Sequence, residues 1–289
     1  MGISRIRGRI VMKIKNRIEN IIISVIMTLV SLTMLFPFMW MLSTSLKERQ
    51  DAIDVAINLI PSPITFEAYK EVWEIVPLLS GFKNTLLIAI PEIAVGVMCS
   101  ALAAFAFAKM DIPFKNFFFM AILSTMMLPG MVTLIPQYVM WGKIGLTDSL
   151  IPLTLPGMLG NVSVMFFLRQ FLTGIPDDYI WAAKIDGAGW MKTFWKIFFP
   201  LMKPGLAAQV IFWFMSVWND FFGPLIYLDS ENKQTLQLIL RLLSGMGSKT
   251  MNFPVVMAGA VISCIPLLVV FISCQRYFMD SMVVSGVKG

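Results

Sequence analysis

The sequence predicts an all-α integral membrane protein with six transmembrane helices. Three observations carry that reading. Of 289 residues, 57% are apolar and only 14% are charged, whereas soluble domains run near a quarter charged. Mean hydropathy is +0.78. Six runs are also long enough to cross a hydrocarbon layer, which takes about 20 apolar residues.

The runs follow in order. Residues 20–46 carry no charge, and 84–108 carry only Glu92. Residues 116–142 and 149–168 carry none. Residues 205–228 carry only Asp220, and 250–275 are uncharged. The first run exceeds a signal-peptide core of roughly 7–15 residues and has no small-x-small cleavage pattern after it, so it is read as helix one. Residues 1–19 are then a basic cytoplasmic N-terminus, 20–275 a single six-helix membrane domain and 276–289 a cytoplasmic tail. Pro129, Pro136, Pro152 and Pro156 cluster in helices three and four. Broken backbone at membrane depth is tolerated beside neighbouring helices or a wet cavity, so these two helices are expected to line a pathway, the alternative for any single proline being a local kink for packing.

Charge sets the orientation. With the N-terminus in the cytoplasm, the inner segments hold 15 Lys and Arg and the outer segments 8. Positive residues collect on the cytoplasmic side, so both termini are expected there. The net charge of +6 suits anionic lipid better than nucleic acid.

The chain has no His, which excludes histidine metal sites and histidine bases. Cys99, Cys264 and Cys274 all fall in apolar runs, and no cysteine spacing supports a metal site. No cofactor is expected in this chain. Gly247 to Thr250, GSKT, has the wrong order and glycine spacing for a phosphate-binding loop.

The most distinctive segment is 175–204, IPDDYIWAAKIDGAGWMKTFWKIFFPLMKP. Pro176 suits the first position of a helix. Asp177 and Asp178 suit its positive end. Gly187 can close it in a left-handed cap. A second helix from about residue 188 places Trp190, Phe194, Ile197 and Phe198 on one face, with Lys192, Lys196 and Lys203 off it. The spacing alone fits either an interfacial connector or a docking elbow.

Ala182-Ala-Lys-Ile-Asp-Gly-Ala188, followed after nine residues from Gly187 by Ile197-Phe-Phe-Pro200, resembles the "EAA" loop of ABC-importer permeases. Trp181 stands where that pattern has an acid, and Phe199 where it has leucine. Met41 to Lys47, Leu102 to Lys109, Leu134 to Tyr138, Phe167 to Phe171, Val217 to Asp220 and Gln275 to Phe278 are similar to the carbohydrate-uptake subfamily. The resemblance is to its second, shorter permease of maltose or multiple-sugar type, and it covers nearly the whole chain.

The resemblance implies a type I importer permease. Such a chain forms half of a sugar pathway with a second homologous permease, serves an extracytoplasmic sugar-binding protein, and is driven by a separate cytoplasmic ATPase dimer that holds ATP and magnesium. By analogy the loop 169–204 contains the coupling helix, and Ala182, Ala183, Asp186, Gly187 and Ala188 contact the ATPase.

Substrate-facing residues are nominated on physical grounds. Charged side chains within a span usually face a cavity or a partner, which selects Glu92 and Asp220. Asn219 and Asp220, near Trp213 and Trp218, suit hydrogen bonding and stacking to a sugar. The alternative for Asp220 is a polar contact between helices. A stand-alone carrier would also use Glu92 and Asp220 but leaves the elbow unexplained. An intramembrane enzyme finds neither a histidine zinc motif nor a G-x-S-x-G nucleophile.

Overall fold

The structure, a computed structural model, describes residues 2–52, 58–244 and 252–286, with side chains described within 19–276. Gly247 to Thr250 lie outside the described residues. Among those described there is no strand, and the chain is all-helical. It divides into two compact units: residues 1–72 with 250–261, and residues 73–249 with 262–289.

The first unit is built on α1 (Gly2–Ser45), which runs unbroken from the basic segment through the first apolar run. Residues 19–39 are all exposed. At its far end Ser43 donates to the Leu59 carbonyl, the Thr65 N–H donates to the Leu46 carbonyl, and the Ser45 and Tyr69 hydroxyls meet at 2.7 Å. These bonds fold the following loop back on the helix end. The helix α2 (Glu67–Ile75) begins here, opening on an acid and burying Ala68 and Val72 one turn apart. Asn252 donates to Glu71 at 3.0 Å.

The second unit is organised around α3 (Leu78–Lys109), a 32-residue helix. After it come α4 (Lys115–Thr125), α5 (Gly130–Lys143), α6 (Ile151–Met158) and α7 (Val162–Thr173). Then follow α8 (Asp178–Ile185), α9 (Trp190–Leu201), α10 (Lys203–Trp218), α11 (Phe222–Tyr227) and α12 (Leu236–Leu243). The last helix, α13 (Phe253–Gly286), starts in the first unit and ends in this one. The helices α6, α7, α10 and α12 all pack on α3. Gly96, Ser100 and Ala104 lie at four-residue spacing along it, and such small residues let helix backbones approach closely. Ser100 receives the Asn161 N–H at 2.8 Å, and the Asn161 side chain caps α7 by accepting from the Ser163 and Val164 N–H groups.

Among the described residues, four helices are long and apolar enough to cross a membrane, and two bent pairs bring the number to six if each is one span. The expected run 116–142 is one of these pairs, bent by 90° between α4 and α5, where Pro129 cannot donate a backbone bond. The expected run 205–228 differs more. Its helix α10 stops at Trp218, and α11 is a separate piece. The Asn219 side chain donates back to the Met215 carbonyl and Asp220 accepts from the Gly223 N–H. Such local side-chain bonds compete with the helix. The pair that passes as a span is instead α9 with α10, bent by 75°.

Candidate functional site

The elbow lies at one end of α3. Its first helix, α8, ends in a full Schellman motif. The Ala188 N–H reaches the Ala183 carbonyl at 2.8 Å, the Gly187 N–H reaches Lys184 at 3.0 Å, and Gly187 has φ +69°. Pro176 falls just before the helix, with Asp177 at the N-cap position. In the second helix Phe194 and Phe198 are fully buried, as their spacing with Trp190 predicts. Phe105 of α3 is their common partner, with ring centroids 5.4 Å from Phe194, 5.1 Å from Phe198 and 6.2 Å from Trp190. Residues 194–198 form a π turn, in which the Phe199 N–H reaches back to Phe194. Pro200 follows, has no N–H and crowds the preceding turn, which the wider turn accommodates.

Lys109, the last residue of α3, anchors the start of the elbow. Its ammonium donates to the Ile175 carbonyl at 2.6 Å and to Asp177 at 2.5 Å. The lysine side chain is 3% exposed and the aspartate 69%, so the enclosed bond to Ile175 matters more. Replacing Lys109 with methionine should loosen the elbow by about 1–2 kcal/mol. Limited proteolysis of the detergent-solubilised protein should then cut 174–190 faster than in the parent. An unchanged rate would mean that the aromatic contacts hold the elbow without it.

Ala182, Asp186 and Gly187 are exposed, Ala188 is half-buried, and Ala183 is turned inward. Ala183 thus packs the elbow, and the open surface is formed by its neighbours. Ile185 is 85% exposed. Trp181 carries a role that the sequence pattern hides. The Lys184 ammonium sits 4.7 Å from its ring centroid and 5.3 Å from that of Trp190, a cation–π clamp across the turn.

A second feature is a half-open cavity of about 380 Å³ lined from α3, α6, α7, α10 and α11. Glu92, Trp213 and Asp220 line it together. The Trp213 indole N–H donates to Glu92 at 3.0 Å. The helices meet so closely here that a Cβ on Gly157 would lie 2.2 Å from the Glu92 carboxylate. Trp218 and Asn219 are not part of the lining. Trp218 is fully buried between Phe82 and Phe214 and donates to the Ser263 carbonyl, while Asn219 is exposed. The span 149–168 contributes Leu153, Asn161, Ser163 and Val164, but 116–142 contributes nothing, since its two bent halves diverge. Gln209 and Thr235 also line the cavity.

A polar clasp closes one end. Asp148, at φ +53°, accepts from the Asp229 and Ser230 N–H groups and from Lys233 at 2.8 Å. The hydrogen bond from Lys233 is foremost in holding its carboxyl well below the usual carboxylate range. Asn84 donates to the Asn232 and Gln234 carbonyls, and the Leu236 N–H donates to Thr85, which pins Thr235 at the cavity. Among the described residues no group of three or more His, Cys, Asp or Glu is placed to hold a metal.

The family model of the binding-protein-dependent transport system inner membrane component matches residues 85–283, a range containing both the elbow and the cavity. The chain belongs to this family. It is a permease subunit of an ABC importer. The arabinooligosaccharides transport system permease protein AraQ of Halalkalibacterium halodurans is 31% identical over 258 residues, 88% of this permease and 91% of that one. The sn-glycerol-3-phosphate transport system permease protein UgpE of Yersinia pestis is 30% identical over 87% of this permease and 92% of its own length. The fold matches a chain in the crystal structure of a bacterial ABC transporter involved in the import of the acidic polysaccharide alginate. The TM-score is 0.79 at 25% identity, covering 91% of this permease and 98% of that chain.

Proposed function

We propose that this permease forms half of a carbohydrate pathway, six times membrane-spanning with both termini cytoplasmic. The elbow is its coupling helix. The observation that carries this is the tip at Ala182, Asp186 and Gly187, exposed yet held on α3 by Phe105 and Lys109. Such a rigid element biasing two global states is what energetic coupling between sites requires. ATP and magnesium bind a separate ATPase dimer that receives the elbow, and this chain is not itself an enzyme. A second permease completes the pathway, and an extracytoplasmic binding protein delivers the sugar. Carbohydrate cargo is supported by the relatives named for arabinooligosaccharides and for melibiose, raffinose and stachyose.

In the lining, Glu92, Trp213 and Asp220 face the solute, while Trp218 and Asn219 support the helix end. The test is purification of the tagged chain from its native host in mild detergent. An ATPase and a second permease should co-purify, and deletion of the chain should abolish uptake of labelled raffinose or arabinotriose by the same cells. A homo-oligomer without an ATPase, reproducible across detergents, would overturn the reading in favour of a carrier working alone.

A further inference from the structure

The cavity lining is chemically one-sided. Glu92 and Asp220 are both present, and no lysine or arginine is among the lining residues. A carboxylate at membrane depth is expensive unless it is paired. Glu92 accepts a bond from Trp213, and Asp220 accepts from the Gly223 N–H and from the Phe222 N–H. An ionised carboxylate offers about four acceptor positions, so each retains capacity toward the cavity.

Two further side chains point the same way. Thr235 is 3% exposed, and its hydroxyl is buried without a partner. Gln209 is 9% exposed. Buried polar groups are nearly always hydrogen-bonded. These two lie on the same lining as the carboxylates and can each donate as well as accept.

We propose that this cavity is a solute subsite that selects by charge. It accepts hydroxyl-rich solutes without negative charge and rejects those bearing carboxylate or phosphate. The inference rests on the carbohydrate reading above and narrows it. Sugar hydroxyls donate to Glu92 and Asp220 and exchange bonds with Gln209 and Thr235. An anionic solute would meet two acidic side chains with no cation on the wall, and like-charge juxtaposition is strongly unfavourable. Family membership does not decide this point, because the relatives are named for neutral sugars and for a phosphate ester alike.

The test uses the assembled transporter in nanodiscs and equilibrium dialysis against labelled raffinose and a mannuronate trisaccharide. The parent should hold raffinose at least about tenfold more tightly than the acidic sugar. The double variant Glu92→Gln, Asp220→Asn should narrow that gap to less than about threefold. Glutamine keeps an oxygen for the Trp213 N–H and asparagine one for Gly223, and ATPase activity of the complex reports its integrity. Where the double variant does not assemble, Asp220→Asn alone serves, since it leaves the Trp213 bond untouched, and it should narrow the gap in part. Equal affinities in the parent, or a gap that survives neutralisation, would overturn charge selection and leave the carbohydrate reading standing. Binding of neither sugar to the parent would overturn both.

Discussion

Replacing Gly187 with valine should reduce uptake by at least about tenfold while leaving the protein in the membrane. A Cβ there meets nothing within 4 Å, so the effect is not a clash within the chain. It is the left-handed conformation, φ +69°, which disfavours an L side chain by roughly 1–2 kcal/mol. About 1.4 kcal/mol is tenfold in an equilibrium, and a β-branched residue is worse placed than most. Asparagine separates two causes, because it tolerates this conformation yet adds bulk to the open tip. If Gly187→Asn retains transport, the turn is what matters. If it too is inactive with the elbow intact by proteolysis, close approach of the ATPase is what matters. Normal uptake in Gly187→Val would sink the docking role of the elbow.

Gly96→Val should lower the melting temperature of the detergent-solubilised protein by about 5–10 °C, from about 1–3 kcal/mol of overpacking. A Cβ on Gly96 would lie 2.3 Å from the Gly157 carbonyl oxygen and 2.4 Å from the Trp213 ring. The first is backbone and cannot swing aside, so α3 must part from α6. The second pushes Trp213, which would disturb its bond to Glu92. Intrinsic fluorescence during a thermal ramp reads the effect. An unchanged midpoint would show that the helices do not approach so closely.

Much of the fold was legible because hydropathy is additive along a run. All six apolar runs have helical counterparts, and Pro129 marks the 90° break correctly. The stop at Trp218 was not legible, since two polar residues in an apolar run shift a window average little. Their hydrogen bonds to Met215 and Gly223 act through geometry alone. At the cavity, Glu92 and Asp220 stood out because charges in spans are rare. Gln209 and Thr235 carry no such signal. Trp218 was misplaced for a reason the sequence does contain. At about 100° per residue, five residues turn it roughly 140° away from Trp213, whereas Asp220 reaches the lining from beyond the helix end. The close approach at Gly96 was likewise readable from its four-residue spacing to Ser100. At the elbow, helix periodicity sufficed for Phe194 and Phe198, but the clamp of Lys184 between Trp181 and Trp190 joins residues on both sides of a turn.

One helix visits every station described. It carries Asn84 and Thr85 at the clasp, Glu92 at the cavity, and Phe105 and Lys109 at the elbow, and over its full length, Leu78–Lys109, α3 spans about 48 Å at 1.5 Å per residue. Pro91 lies within it and divides it into arms of about 20 and about 27 Å. Were the helix to tilt as a rod about that point by about five degrees, Lys109 would move by about 2.4 Å and Asn84, about 10 Å away, by about 0.9 Å in the opposite sense. A shift of about 2.4 Å exceeds the tolerance of a hydrogen bond, so any such tilt would be felt first at the Lys109 bond to Ile175.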